Sequence, residues 1–202
     1  MKKPLFLELD FGMGNIRSLE KAFEHVGANI KVSSNKNDIA KADALILPGD
    51  GSFGQAMKEI QMRGMLDPIY KHVEAGKPLF GVCIGFQILF ESSEEYGFHQ
   101  GFGFLEGKVT RFVNVPEIPH MGWAPVNLAD DKLFKGLPSP AWFYFVHSYR
   151  VEGKNKNAIG LCNYGGEFTA IVRKGNMLGV QFHPEKSHEV GIQLIQNFVQ
   201  SL

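Results

Sequence analysis

A cysteine between two glycines is the first feature of the sequence that could do chemistry. The pentapeptide at residues 81–85 reads Gly-Val-Cys-Ile-Gly, with a glycine two positions before and two positions after Cys83. This spacing is typical of a nucleophile elbow, a sharp strand-to-helix turn that tolerates only small neighbours and lifts its nucleophile above a sheet. Such a turn places Cys83 at a helix N-terminus, which favours the thiolate. The alternative is a buried structural cysteine, which suits Cys162 much better.

His183 is the candidate base, because a cysteine nucleophile needs a histidine and a group that orients the histidine ring. It lies in the run Gln-Phe-His-Pro-Glu-Lys-Ser at residues 181–187, directly after a predicted strand. In an extended segment residues i and i+2 point to one side, so Glu185 could accept the Nδ1 hydrogen and leave Nε2 facing the thiol. The alternative is a surface histidine or a satisfied core histidine. That interpretation is given to His25, His72, His99 and His188.

Composition and charge exclude several other classes of function. The 202 residues carry a formal net charge of zero, so nothing suggests binding to nucleic acid or to an anionic membrane. No apolar run approaches the ~20 residues of a membrane span, and Glu8 and Asp10 interrupt the N-terminal run too early for a signal peptide. Two cysteines make no disulfide framework, which favours a reducing, cytoplasmic setting. A zinc site is a rival use of Cys83, but no ligand pair at metal-binding spacing accompanies it. We therefore expect neither metal nor cofactor.

Alternating strands and helices position these residues in the first half of the chain. Strands are predicted at Leu5–Leu9, 30–32, Ala44–Leu47 and Leu79–Val82, and helical stretches at 16–26, Phe53–Met62, Leu66–Glu74 and 86–91. Repeats of this length favour a parallel sheet with helices on both faces. Reactive groups in such sheets gather at the carboxyl ends of strands, where the sequence places both Cys83 and the turn at residues 48–51.

The second half predicts shorter strands, some of them antiparallel edges of the sheet. They lie at residues 108–112, 126–128, 142–146, 158–161, 169–173 and 177–181. A closing helix is predicted at residues 188–199. No linker, repeat or low-complexity segment divides the chain, so we expect residues 1–202 to form a single domain.

Six motifs, in order along the chain, carry a family resemblance. The elbow together with His183 and Glu185 resembles a class I, triad-type glutamine amidotransferase. More narrowly, the chain resembles the glutaminase subunit of imidazole glycerol phosphate synthase at residues 11–18, 81–87, 89–95, 119–123, 146–149 and 181–187. The resemblance implies an α/β, flavodoxin-like fold. Its central sheet would be mostly parallel and flanked by helices, with additional antiparallel strands in the C-terminal half.

The resemblance also implies roles for the matched residues. Cys83 would form a γ-glutamyl thioester, and His183, held by Glu185, would protonate the departing ammonia and then activate water. The oxyanion would lie between the helix after the elbow and the turn at 48–51, which a peptide rearrangement could complete. The residues implied there are Gly49, Asp50 and Ile84. Glutamine would be held by Gly49, Gly51, Gln87, Glu95, His147, Ser148 and Tyr149.

The partner implied by the resemblance is a (β/α)8-barrel cyclase, bound as a heterodimer and fed with ammonia for histidine biosynthesis. Its substrate would be the ribulosyl form of a phosphorylated aminoimidazole carboxamide ribonucleotide. Asn15, Trp123 and Lys186 match the interface and signalling positions of this family. Ordinary roles stay open for all three: a helix cap for Asn15, core packing for Trp123 and a solvated surface charge for Lys186.

Two residues depart from the family pattern. Asp50 replaces a residue that is often apolar, and because a carboxylate would oppose a developing oxyanion, we expect its side chain to point outward. Ala124 replaces a common asparagine in an expected interface segment. These departures keep a paralogous glutaminase for amidation of a surface-polysaccharide sugar as an alternative. A non-catalytic partner-binding subunit and a stand-alone hydrolase of the same fold are further alternatives.

Overall fold

One mixed β-sheet runs through the residues that the computed structural model describes, 3–14 and 16–202. Its strands are β1 (Leu5–Leu9), β2 (Asn29–Ser33), β3 (Ala44–Leu47), β4 (Leu79–Val82), β5 (Ser92–Ser93), β6 (His99–Gln100), β7 (Lys108–Arg111), β8 (His120–Leu128), β9 (Ala141–His147), β10 (Tyr149–Glu152), β11 (Ala158–Asn163), β12 (Glu167–Lys174) and β13 (Met177–Val180). The helices are α1 (Ile16–His25), α2 (Lys36–Ile39), α3 (Phe53–Met62), α4 (Leu66–Glu74), α5 (Ile84–Gln87) and α6 (His188–Gln200). Short 3-10 turns cover Lys132–Phe134 and Pro184–Lys186.

Five parallel strands, in the order β2-β1-β3-β4-β13, form the half of the sheet that carries the reactive residues. Strands β3, β4 and β13 are buried at every position, as expected for strands covered on both faces. Because β4 lies between β3 and β13, the segments that follow these three strands meet at one edge. The prediction that Cys83 and the turn at 48–51 share this edge is confirmed.

Antiparallel strands complete the sheet beyond β13. Strand β12 pairs with β13 and β10 along one side and with β11 along the other, and β8 joins β11 to β9. The expected fold class, a mostly parallel centre with antiparallel strands in the C-terminal half, is confirmed. Nine-residue β8 is much longer than the predicted strand at 126–128, and β5, β6, β10 and α2 were not predicted.

The helix predicted at residues 86–91 is wrong in its bounds, since α5 runs from Ile84 to Gln87 only. The backbone then tightens, with Leu89 and Phe90 donating to carbonyls three residues earlier. The carbonyls of Ile88, Leu89 and Phe90 accept from the amides of Phe102, Leu105 and Gly103. A packed neighbouring segment therefore takes the acceptors that a longer helix would need.

Apolar layers cover both faces of the parallel strands. On the face covered by α1 and α6, the rings of Phe6, Phe23, Phe80 and Phe198 pack with centroid distances of 5.0 to 6.2 Å. Leu7, Leu45 and Ile60 belong to the core of the other face. Burying each such side chain contributes about 1.5–3 kcal/mol, so the strands below the reactive edge form a rigid base.

A cavity of about 890 Å³ opens at the opposite edge of these strands. Its lining includes Pro4, Pro78 and Met177, which lie at or just before the starts of β1, β4 and β13. The cavity is therefore separated from Cys83 by the length of the sheet. No helix in the described ranges is long and apolar enough to cross a bilayer.

Candidate active site

The elbow has the strained geometry that its sequence predicts. Cys83 follows β4 with backbone angles φ 52° and ψ −106°, a conformation that residues other than glycine rarely adopt. Helix α5 begins at the next residue. A Cβ at position 81 would clash with the Gly85 carbonyl oxygen, and one at position 85 would clash with the Leu47 carbonyl oxygen. Both glycines are thus required by close backbone approach.

Hydrogen bonds hold the cysteine backbone in this conformation. The Cys83 amide donates to the Val180 carbonyl of β13 at 2.8 Å, and its carbonyl accepts from the amides of Phe86 and Gln87. The residue is only 5% exposed. The contacts offset the cost of a strained backbone, about 1–3 kcal/mol.

His183 and Glu185 form the expected pair, although not in the expected conformation. The distance from His183 Nδ1 to Glu185 Oε1 is 2.8 Å, and both side chains are about 3% exposed. Residues Pro184–Lys186 form a 3-10 turn rather than an extended segment, and this turn brings the carboxylate back to the ring. The prediction of the contact is correct, and the extended geometry from which it was argued is wrong.

Ser187 ties the histidine to the antiparallel half of the sheet. Its hydroxyl donates to the His183 carbonyl at 2.6 Å and accepts from the Tyr144 amide at 3.0 Å. The His183 amide in turn donates to the Tyr144 carbonyl at 2.9 Å. The ring position is therefore fixed by β9 as well as by β13.

The charge state of His183 follows from its neighbours. Burial lowers the pKa of His183, but the Cys83 sulfur and the Glu185 carboxylate outweigh burial and raise this pKa to about 10. Nε2 makes no hydrogen bond of good geometry within residues 3–14 and 16–202. At neutral pH the ring is therefore an imidazolium, with its Nε2 hydrogen available to the sulfur or to a bound substrate.

The turn after β3 lies directly against the elbow. A Cβ at Gly49 would lie 2.6 Å from the Gly85 amide nitrogen and closer still to the Ile84 amide nitrogen. Gly51 has φ 101°, a conformation that favours glycine. Gly49 and Ile84, both expected at the oxyanion, are thus adjacent to each other and to Cys83.

The expected outward orientation of Asp50 is wrong. Its Oδ1 lies 3.9 Å from His183 Nε2, and the side chain is 41% exposed. The imidazolium attracts the carboxylate to the reactive side of the turn, while its exposed part stays in contact with solvent. Asp50 therefore adds a negative charge to the site rather than facing away from it.

Comparison with known proteins identifies the family to which this chain belongs. Residues 7–202 match the family model for glutamine amidotransferase class-I. The chain belongs to this family. It is 46% identical over 193 residues to imidazole glycerol phosphate synthase subunit HisH of Rhodopirellula baltica, with 94% of each chain covered.

Two further comparisons concern a second relative and the fold. Subunit HisH of Methanosarcina barkeri is 44% identical, with 95% of this chain and 96% of that protein covered. Among solved structures, PurLQS from Thermotoga maritima aligns with a TM-score of 0.76 at 22% identity over 99% of both chains, a likeness of fold alone. The resemblance drawn from the sequence motifs is confirmed.

The residues that the amidotransferase resemblance assigns to glutamine binding lie in two groups. Gln87 is buried, and its Nε2 donates to the Tyr149 carbonyl at 3.0 Å and to Gln181 Oε1 at 2.9 Å. Glu95 lies apart from this group, and its Oε2 accepts from the Phe53 amide at the start of α3 at 2.7 Å. Ser52, at the N-cap of α3, makes no side-chain cap hydrogen bond, so Glu95 supplies the cap.

His147 and Ser148 contact the same region through the interior and the backbone. The Ser148 carbonyl accepts from the Phe112 amide at 3.0 Å. His147 is buried, with Nδ1 2.8 Å from the Tyr149 carbonyl and Nε2 3.0 Å from His120 Nδ1. Its ring faces the core, so only its backbone is placed to meet a ligand at this edge.

Of the three interface positions, two lie on one side of the site. Trp123 is 42% exposed and stacks on His188 with a centroid distance of 4.9 Å and an interplanar angle of 11°. Lys186 is half-buried in the 3-10 turn that carries Glu185. Asn15 lies outside the described residues. His188, taken from the sequence as an ordinary surface histidine, is thus part of the surface that Trp123 forms.

Sequence reasoning missed Gln181 and Ser187. Gln181 is fully buried, and its Nε2 lies 3.8 Å from Cys83 Sγ. Both residues lie in the run at 181–187 that identified His183, so their proximity to a candidate base was an available signal. No cluster of metal-ligating side chains was found in the described part of the chain.

Proposed function

We propose that this class-I amidotransferase is the glutaminase subunit of an imidazole glycerol phosphate synthase. It hydrolyses glutamine to glutamate and ammonia, and the ammonia passes to a partner that builds it into a product. The proposal rests on one observation: Cys83, on its strained elbow, lies beside His183, which is paired with Glu185, in a chain 46% identical to a HisH subunit. We also propose that residues 1–202 act as one domain, in a reducing cytoplasm.

In the first half of the reaction, Cys83 Sγ as the thiolate attacks the side-chain carbonyl carbon of glutamine. The C=O π electrons move to the oxygen and form the oxyanion of a tetrahedral intermediate. As the intermediate collapses, the C–N bond breaks and His183 Nε2 gives its proton to the departing nitrogen. Ammonia leaves, and a γ-glutamyl thioester remains on Cys83.

In the second half, the now neutral His183 accepts a proton from water. The resulting hydroxide attacks the thioester carbonyl, the C–S bond breaks, and glutamate leaves. The thiolate and the imidazolium are thereby restored. Glu185 fixes Nδ1 as the protonated nitrogen and stabilises the positive ring.

The turn at residues 48–51 is the proposed control point of the oxyanion site. The Ile84 amide supplies one donor, and a peptide of the adjoining Gly49–Gly51 turn supplies the other after rearrangement. Loss of one oxyanion donor costs about 10²–10³ in rate, so a turn held in the wrong orientation keeps the enzyme nearly silent. Asp50 strengthens this effect, because its carboxylate lies on the side where the oxyanion forms.

The proposed partner is a (β/α)8-barrel cyclase that forms a heterodimer with this chain. An exposed apolar surface supports a partner at this position. Strands β8 and β9 pair so that Met121 faces Val146, Trp123 faces Tyr144, and Pro125 faces Trp142. Met121, Trp123 and Trp142 are 61%, 42% and 53% exposed. Such a contiguous surface is typical of an interaction site.

The departure at Ala124 does not lie on this surface. Ala124 is buried, with its side chain in the core on the opposite face of β8 from Trp123 and Pro125. It therefore changes core packing rather than the interface. The case for the alternative acceptor, a surface-polysaccharide sugar, then depends on Asp50 alone.

Glutaminase activity measured with and without the barrel partner and its nucleotide ligand tests the proposal. We expect little activity alone and a large rise with both, because the oxyanion site needs completion. Equal activity under all conditions would contradict it, and activation only by a cyclase-like barrel from a sugar-modifying system would favour the alternative acceptor. Labelling with a glutamine-directed electrophile tests the non-catalytic alternative, since no adduct on Cys83 would support a pure binding role.

Substitution of the nucleophile separates the two activities of the complex. We expect Cys83→Ala to abolish glutamine-dependent synthesis while synthesis from added ammonia continues, because the cyclase does not need the thiol. The matched control is Cys162→Ala. Burial raises the pKa of Cys162 to about 12, so this cysteine is a neutral core side chain and its loss should leave both activities in place.

A further inference from the structure

The geometry points to Gln181 as a positioning residue that donates a side-chain hydrogen bond to the sulfur of Cys83. This inference deepens the proposed function and rests on Cys83 being its nucleophile. Gln181 Nε2 lies 3.8 Å from Cys83 Sγ, within the range of hydrogen bonds to sulfur, and the side chain is fully buried. Its backbone amide donates to the Ala170 carbonyl at 2.8 Å, which fixes the residue at the end of β13.

The orientation of the amide groups follows from a single backbone acceptor. A side-chain amide presents a donor on one side and an acceptor on the other, and only its surroundings decide which is which. The Tyr149 carbonyl can only accept. Gln87 Nε2, at 3.0 Å, must therefore be the group that faces it.

The orientation of the Gln87 amide determines that of the Gln181 amide. The second hydrogen of Gln87 Nε2 points to Gln181 at 2.9 Å, so the Gln181 atom at that position must be the acceptor Oε1. Gln181 Nε2 is then the atom left to face the sulfur. A flipped Gln181 would place two donors against each other in a buried site and leave both without an acceptor, which is unfavourable.

A donor at this position favours the negatively charged sulfur. Hydrogen bonds to an ionised group are about twice as strong as neutral ones, and burial strengthens them further. The charged group beside this sulfur is His183, with Glu185 behind it at Nδ1, and Asp50 from the turn after β3 lies 3.9 Å from His183 Nε2. Gln181 adds a neutral donor, which stabilises the thiolate before it attacks glutamine and again when the C–S bond breaks.

The test is the pH dependence of Cys83 alkylation by iodoacetamide, read by peptide mass spectrometry. We expect Gln181→Met, which keeps the length but removes the donor, to raise the pH midpoint by about one unit, so that alkylation at pH values below the midpoint becomes roughly tenfold slower. Gln61→Met, at an exposed position of α3, is the matched control and should leave the midpoint unchanged. Gln87→Met should shift it in the same direction but less, because the Gln181 amide is then free to rotate.

An unchanged midpoint in folded Gln181→Met would overturn the inference. Thermal unfolding identifies a variant that does not fold, and Gln181→Asn, which draws the amide back by one methylene, then takes its place with the same expected direction. Alkylation needs no glutamine and no partner, so it reports on the hydrogen bond independently of the proposed function. That function fails separately, if Cys83→Ala retains glutamine-dependent synthesis.

Discussion

Two buried histidine sites in this protein have opposite charge states. At the reactive edge, the pKa of His183 is raised to about 10, although burial acts against it. Where the first residue of β8 pairs with the last residue of β9, burial lowers the pKa of His120 to about 4 and that of His147 to about 3. The rings of His120 and His147 contact each other at 3.0 Å, and aromatic rings surround them.

The difference lies in the neighbours and not in the depth of burial. His183 has the Glu185 carboxylate at Nδ1 and a sulfur near Nε2, so charging the ring creates favourable pairs. His120 and His147 have each other, and two positive rings at hydrogen-bond distance would repel. The first site is thus built to hold a proton for chemistry, and the second to stay neutral as part of the core.

Removing the carboxylate of Glu185 is the most direct way to break this contrast. We expect Glu185→Gln to lower the glutaminase kcat of the complex by about 10³–10⁴, because an amide neither stabilises the imidazolium nor fixes its tautomer. The pKa of His183 should fall, which moves the pH profile of kcat. Steady-state kinetics from pH 6 to 9 measure both effects. Glu189→Gln on α6 is the control, and activity within twofold of the unchanged enzyme would contradict the role of Glu185.

Glu8 extends the comparison to a buried acid without a positive partner. It is fully buried on β1, and neither carboxyl oxygen has a hydrogen-bond partner among residues 3–14 and 16–202. Burial, with smaller effects from Glu20, Glu185 and Asp10, raises the pKa of Glu8 from 4.5 to about 9. Because the folded state holds this proton and the unfolded state releases it above pH 4.5, stability falls as pH rises from about 4.5 to 9.

We therefore expect Glu8→Leu to stabilise the protein at pH 7. The gain in free energy of unfolding should be about 3 kcal/mol, the cost of keeping the carboxyl protonated 2.5 pH units above its ordinary pKa. Urea denaturation at pH 5, 7 and 8.5 measures this gain, which should grow with pH. Glu24→Leu, at an exposed position of α1, should change little, and a less stable Glu8→Leu would show that the carboxyl has a favourable role.

The neutral histidine pair predicts acid sensitivity of the opposite sign. The folded pKa values of His120 and His147 lie below the ordinary 6.5, so the folded state binds fewer protons and stability is lost as pH falls below 6.5. At pH 5 each histidine should cost about 2 kcal/mol. His147→Gln should flatten the loss between pH 7.5 and 5 in urea denaturation, whereas exposed His25→Gln should leave it unchanged. Equal slopes in all three proteins would contradict a neutral pair.

Asp50 offers the smallest and most specific refinement. We expect Asp50→Asn to raise the glutaminase activity of the isolated subunit by at most about tenfold, because it removes a negative charge beside the developing oxyanion. Its 41% exposure and solvent screening limit the effect. Initial rates at low and high salt measure it, with Asp43→Asn as the control. A lower rate would mean that Asp50 assists catalysis through His183.

The sequence was sufficient for the buried parallel strands and for the triad. Strands such as Leu79–Val82 are apolar on both faces. The glycines on either side of Cys83 predict the elbow, because a sharp turn there leaves no room for larger side chains. Strand β8 was largely missed because Gly122 and Pro125 interrupt its pattern. Pro125 is tolerated there because β8 pairs with β9 at that point, and β11 joins only from Val126 onward.

Long-range contacts set what the sequence could not reveal. The orientation of Asp50 depends on a histidine more than a hundred positions later, and the length of α5 depends on carbonyls taken by the segment around Phe102. The pairing of Gln87, Gln181 and Cys83 likewise needs the adjacency of β4 and β13. Local patterns carry no information on such pairings.

The chain of hydrogen bonds that runs through Gln87 and Gln181 to Cys83 begins at the main-chain carbonyl of Tyr149. This origin determines which substitutions can break the chain. A mutation can replace either glutamine, but no change of side chain at position 149 removes a main-chain carbonyl. As far as these hydrogen bonds are concerned, the side chain at position 149 should therefore vary more freely among related enzymes than Gln87 or Gln181. The first acceptor of these hydrogen bonds is therefore set by the backbone fold and not by the identity of a side chain.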